Sequence, residues 1–205
     1  MDRQIKNLLF DLGGVIIDIR RQNCVDAFAA LGLDDADSYF GEYAQTGVFM
    51  QIEDGSITTD GFHEALHKVL PPDVTDVQID DAFQRFIVGI PVHRLSALRR
   101  LRQKYSLYLL SNTNPVMWAG VIASEFRKEG FEREDYFDGM VTSFEAKAAK
   151  PARAIFDYAV DRLGIRPEET LFFDDSQANV DAARKLGFNA VLVKPGKEFT
   201  DCFHG

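Results

Sequence analysis

Asp11 ends an apolar run, Ile5–Phe10, and is followed at once by Leu12-Gly13-Gly14. Two further acids, Asp174-Asp175, close the run Thr170–Phe173, and Ser111-Asn112 closes Leu107–Leu110. Lys150 stands several residues beyond a fourth run, Met140–Thr142, directly before Pro151. Carboxylates can attack as nucleophiles or offer hard oxygen to a divalent cation, and an ammonium can neutralise charge that builds during reaction. Each group also has a plainer reading. Asp11 can be a loop carboxylate, Asp174-Asp175 can stabilise the start of the following helix, and Ser111 can be a helix N-cap. Ser111 as a hydrolase nucleophile is excluded, because no GxSxG surrounds it.

These groups need elements to bring them together. The four runs and a fifth, Ala190–Val193, are short and almost continuously apolar, the pattern of strands buried on both faces of a parallel sheet. Helical periodicity lies between the later ones. Leu95, Leu98 and Leu101 make one stripe. Ile155, Phe156, Ala159, Val160 and Leu163 make another, entered at Pro151 and closed at Gly164. Ala182, Ala183 and Leu186 make a third, closed at Gly187. Strand and helix in alternation predict an α/β fold. In an open parallel sheet, ligands bind at the carboxyl ends of the strands, where the strand order reverses. Three carboxylates, one hydroxyl and one ammonium are thereby predicted on one edge.

The segment between the first two strands breaks the rhythm. Helical stripes run through Val25, Phe28 and Ala29, through Phe62, Leu66 and Val69, and through Phe83, Phe86, Ile87 and Ile90. Pro71-Pro72-Asp73 separates the last two. The expectation is a Rossmann-like α/β core over residues 1–19 and 91–205, carrying an inserted helical-bundle cap over 20–90.

Lysine and arginine number 23 against 32 aspartates and glutamates, a formal charge of −9. Nucleic acid and anionic membrane are excluded as general partners, since both call for a basic face. Cys24 and Cys202 form no CxxC, and the apolar runs are far too short to span a bilayer. A soluble, cytoplasmic protein is expected, monomeric or a weak homo-oligomer.

FDLGGV, SNT, KP and FFDDSQAN, in this order at strand ends, resemble the four motifs of the haloacid-dehalogenase-like superfamily of phosphohydrolases. FDLGGVIID and FFDDSQAN look most like its sugar-phosphatase members with a helical cap, and the resemblance spans essentially the whole chain. It implies magnesium-dependent hydrolysis of a small phosphomonoester, a sugar phosphate, through an aspartyl-phosphate. Asp11 would be the nucleophile and a magnesium ligand, with the Gly13 carbonyl and Asp175 as further ligands and Asp174 either a ligand or a partner of metal-bound water. Ser111 and the Asn112 amide would hold the phosphoryl group, amides at Gly13 and Gly14 would reach its oxygens, and Lys150 would neutralise both partners. Lys147 is a rival for Lys150, but the following proline favours Lys150.

One position departs from the family pattern. The aspartate usually found two residues after the nucleophile, a general acid and base, is here Gly13. Such help is worth roughly 10²–10⁴ in rate. Three readings stand: hydrolysis slowed or assisted by a substitute, a weakened phosphometabolite-binding or regulatory protein, or another reaction on the same platform. Asp18 is the nearest substitute, against a plainer role as a turn or helix cap at the start of the cap. Glu53, in Gln51–Ile57, either meets a sugar hydroxyl or sits in a solvated turn. Phe40, Tyr43 and Phe49 line a pocket or pack the cap. Trp118 reads as packing, and His63, His67, His93 and His204 form no metal motif.

Overall fold

The computed structural model describes residues 5–41 and 45–203; Tyr43 and His204 lie outside them. Seven strands run in chain order: β1 Asn7–Phe10, β2 Asp18–Ile19, β3 Ile87–Gly89, β4 Ser106–Ser111, β5 Gly139–Thr142, β6 Thr170–Asp174 and β7 Asn189–Leu192. Five form a parallel sheet in the order β5-β4-β1-β6-β7. Each expected run is therefore a sheet strand. The strand order reverses at β1, so the loops after β1, β4 and β6 converge on one crevice.

The continuous apolar runs reflect burial on both faces. Leu8 and Phe10 enter one core cluster, while Leu9, pointing the other way, enters a second with Ile155, Phe156, Phe172 and Ala183. The helices over Arg153–Leu163 and Gln177–Lys185 cover that second face. Gly164, with φ +65°, ends the first of them, a left-handed position that a residue with a Cβ resists.

Among the described residues, five helices lie between β2 and β3: Arg21–Ala30, Ala36–Tyr39, Gly47–Glu53, Thr59–Leu66 and Asp76–Gln84. They close on an aromatic cluster centred on Phe49, whose ring lies 4.5 Å from Phe40, 5.0 Å from Phe28 and 5.2 Å from Phe83. Phe40 and Phe49 thus pack the interior of this helical segment. Two helical stripes are shorter than their periodicity suggests. The first helix stops at Leu66 and leaves Val69 exposed. The second stops at Gln84, and Ile87–Gly89 becomes β3, paired antiparallel to β2. A short apolar run fits either period, and here the partner strand decides.

Candidate active site

Register fixes the centre of the site. Phe10 pairs with Phe173, so Asp11 and Asp174 leave adjacent strands at one level, and the Asp11 amide donates to the Phe173 carbonyl at 2.8 Å. Oxygens of Asp11, Asp174 and Asp175 lie within 4.8 Å of one another, the one such group among the described residues. Lys150, 5% exposed, places Nζ 2.8 Å from Asp11 Oδ1 and 2.7 Å from Asp174 Oδ2. The amide of Leu12 also donates to Asp11 Oδ1, at 2.6 Å. Burial, the largest influence, pushes the Asp11 carboxyl up to about 8; Lys150 pulls it down and the neighbouring acids push it up further. Lys150 stays charged, because the two carboxylates outweigh its own burial.

Asp174 and Asp175 differ in exposure and engagement. Asp174 is fully buried and accepts from Lys150, the Ser176 amide at 2.8 Å and Asn179 Nδ2 at 3.0 Å. Asp175 lines the cavity, packed over Gly14. Gly14 has φ +70°, and a Cβ there would lie 2.1 Å from Asp175 Oδ2. Its amide donates to the Ile17 carbonyl at 2.9 Å, and Gly14 is not among the cavity-lining residues. The Gly14 amide, expected to reach phosphate, donates here to Ile17, and the glycine allows the close approach of Asp175. Gly13 does line the cavity, and a Cβ there would meet only Ile19, at 3.5 Å and beyond.

Ser111 and Asn112 reach the cavity from the end of β4. The Asn112 side chain also positions Lys150, accepting from its amide at 2.8 Å and donating to its carbonyl at 3.0 Å. This cross-brace between two loops has no signature beyond the SNT motif itself. Thr113, inside SNT, and Ser176 and Asn179, inside FFDDSQAN, also line the cavity; the motifs contain all three, but the motif alone does not show that Asn179 donates to Asp174.

The cavity encloses about 100 Å³ of space open to water, and the inserted segment forms part of its wall through Gln45, Glu53, Phe86 and Ile87. Glu53 is not in a solvated turn. Burial, with Asp54 adding to it, pushes its carboxyl up to about 8. Its carbonyl accepts from Ser143 Oγ at 2.6 Å, and Lys147 donates to the Gly55 carbonyl, so two core residues hold this cap loop. Asp18 neither caps a helix nor faces the cavity. It pairs with the buried Arg94 at 2.7 Å, which also grips Glu198. His63 and His67 pair with Asp76 and Asp80 across two cap helices, and Arg133 stacks on Trp118.

The family model for haloacid dehalogenase-like hydrolases matches residues 5–187. The chain belongs to the haloacid dehalogenase-like hydrolase family. Among similar members is the D-ribitol-5-phosphate phosphatase of Bacteroides thetaiotaomicron, 37% identical over 95% of both chains. A family enzyme from that organism, solved with magnesium and inorganic phosphate, superposes with a TM-score of 0.93 at 39% identity, over 98% of this chain and 100% of the other. A family hydrolase from Porphyromonas gingivalis gives 0.89 at 32% identity, over 98% and 96%. No helix among the described residues is long and apolar enough to cross a membrane.

Proposed function

We propose that this protein is a magnesium-dependent phosphatase acting on a small sugar or polyol phosphate through an aspartyl-phosphate on Asp11. The observation that carries the reading is the convergence of Asp11, Asp174 and Asp175 oxygens within 4.8 Å beside one buried ammonium. Relatives that hydrolyse such esters support the substrate class.

The donor set fits magnesium, since three carboxylates are hard oxygen ligands and outnumber the single lysine. Asp11 and Asp175, with Asp174 and the Gly13 carbonyl nearby, would hold the ion, which when bound supplies charge neutralisation between the carboxylates and the incoming dianion. Asp11 forms the bond to phosphorus as the bond to the leaving oxygen breaks, and water then cleaves the acyl phosphate and restores the carboxylate. The Leu12 amide and Lys150 hold Asp11 Oδ1 and so fix the plane of the attacking carboxyl. Lys150 neutralises the phosphoryl group, and Ser111 and the Asn112 amide donate to it. Asp174, saturated by Lys150, Ser176 and Asn179, keeps the cluster in place. The helical segment, by this reading a cap over 20–90, covers the leaving group.

Phosphate release from a panel of phosphorylated sugars and polyols, with and without magnesium, tests this. Release that requires magnesium and vanishes in Asp11→Asn is expected. Background release across the panel, equal in Asp11→Asn, would instead favour the weakened binding protein.

A further inference from the structure

The cap wall of the cavity takes no part in the chemistry above, yet it is polar in a particular way. Gln45 is 8% exposed, lines the cavity, and its Oε1 has no hydrogen-bond partner among the described residues. A buried acceptor without a partner is costly, and a ligand group that donates to it recovers that cost. Glu53 lines the same space, its backbone held over the core by Ser143. Among the described residues, the cavity lining contains a single cation, Lys150, whose ammonium faces Asp11 and Asp174. The remaining lining side chains are acids, amides, hydroxyls and apolar groups such as Ile19, Phe86 and Ile87.

We infer that Gln45 and Glu53 form a hydroxyl-reading subsite, which selects a neutral polyol or sugar as the leaving group and refuses a phosphoester bearing a carboxylate on that part. The inference rests on the phosphatase reading and deepens it. A substrate hydroxyl donates to Gln45 Oε1 and accepts from the Glu53 carboxylic acid. A substrate carboxylate would be met at Glu53 but would oppose the Gln45 acceptor, and among the described residues the one lining cation, Lys150, already faces Asp11 and Asp174, so the added charge stays uncompensated. Burial keeps Glu53 protonated up to about pH 8. The titratable groups around it are Asp54 on its own segment, the Cys24 thiol of the helix Arg21–Ala30, Lys147 of the core at the adjoining loop, and Asp11, Lys150 and Asp175 in the cavity. Above that pH Glu53 loses its proton, the donor is gone, and an anion faces the substrate dianion, so KM rises.

Steady-state kinetics with magnesium test the subsite, using a five-carbon polyol phosphate, the matched phosphorylated hydroxy acid, and phenyl phosphate. The wild-type protein is expected to prefer the polyol over the acid by about 100-fold in kcat/KM. Gln45→Leu raises KM for the polyol by about 10- to 100-fold. Glu53→Gln, which keeps a neutral donor, holds KM at pH 7 within about threefold of wild type and removes the rise above pH 8. Glu53→Lys narrows the polyol-to-acid ratio by on the order of tenfold. A wild-type preference for the acid, or equal use of both, overturns the inference with no variant needed. So does a Glu53→Gln variant that loses kcat at constant KM, which would make Glu53 a proton donor instead. Magnesium-dependent release from phenyl phosphate without polyol preference sinks the subsite alone, whereas no release from any of the three esters sinks the phosphatase reading beneath it.

Discussion

Replacing Lys150 by methionine removes the ammonium that two buried carboxylates share. Nζ lies 2.8 Å from Asp11 and 2.7 Å from Asp174, and its side chain is 1% exposed. Removing one partner of a buried ion pair costs about 3–5 kcal/mol, because the charge left behind stays desolvated. In a chain of this size, each kcal/mol moves the melting point by about 2–4 °C, which predicts a fall of roughly 6–20 °C for the metal-free variant at pH 8. The loss shrinks as pH falls, since Asp11, whose carboxyl burial pushes up to about 8, then takes up a proton that replaces the lysine charge. Magnesium should restore part of the melting point by supplying positive charge at the same place, while kcat stays down by about 10²–10³, the usual cost of removing one stabilising donor. Differential scanning calorimetry at pH 6 and 8, with and without magnesium, reads the first effect and phosphate release the second. A metal-free variant melting within about 2 °C of wild type at pH 8 would refute the claim that Lys150 balances the cluster.

Gly13→Asp returns the missing proton donor at a position with room for a Cβ. It should raise kcat by about 10² or more for alkyl phosphates and hardly at all for aryl ones; an equal change across a leaving-group series would rule out proton donation as the reason. Gly14→Ala forces a side chain onto Asp175 in a left-handed backbone. It should cost about 1–2 kcal/mol in stability and weaken magnesium binding, read by calorimetric titration, whereas unchanged affinity would show that Asp175 does not hold the ion. Asp11 and Glu53 both titrate near 8 in the folded metal-free chain, against ordinary values of 3.8 and 4.5. The folded state therefore holds more protons than the unfolded one between these limits, and metal-free stability should fall as pH rises from about 5 to 8. Magnesium must displace the Asp11 proton, so its apparent affinity should rise over the same range and level off above pH 8; a flat profile contradicts the raised Asp11 value.

The amino-acid sequence alone determined the parallel strands, because a strand covered on both faces must be apolar throughout, and Leu8-Leu9-Phe10 or Phe172-Phe173 admit few other placements. It also determined that Asp11, Ser111 and Asp174-Asp175 lie along one edge, because each stands where an apolar run stops. Only the tertiary structure decided what these groups do to one another. The Asn112 brace on Lys150, the separate surroundings of Asp174 and Asp175, and the engagement of the Gly14 amide depend on loops whose paths are set by partners far away in sequence. The inserted helical segment shows the same division. Its helices were legible from periodicity, but β2 and β3 were not, since two or three residues carry no period without a pairing strand. Asp18 and Glu53 look alike as acids beside turns. Arg94 draws one into an ion pair away from the cavity, and the Ser143 contact to the Glu53 backbone holds the other, half-buried, beside the site, a difference that no local pattern encodes.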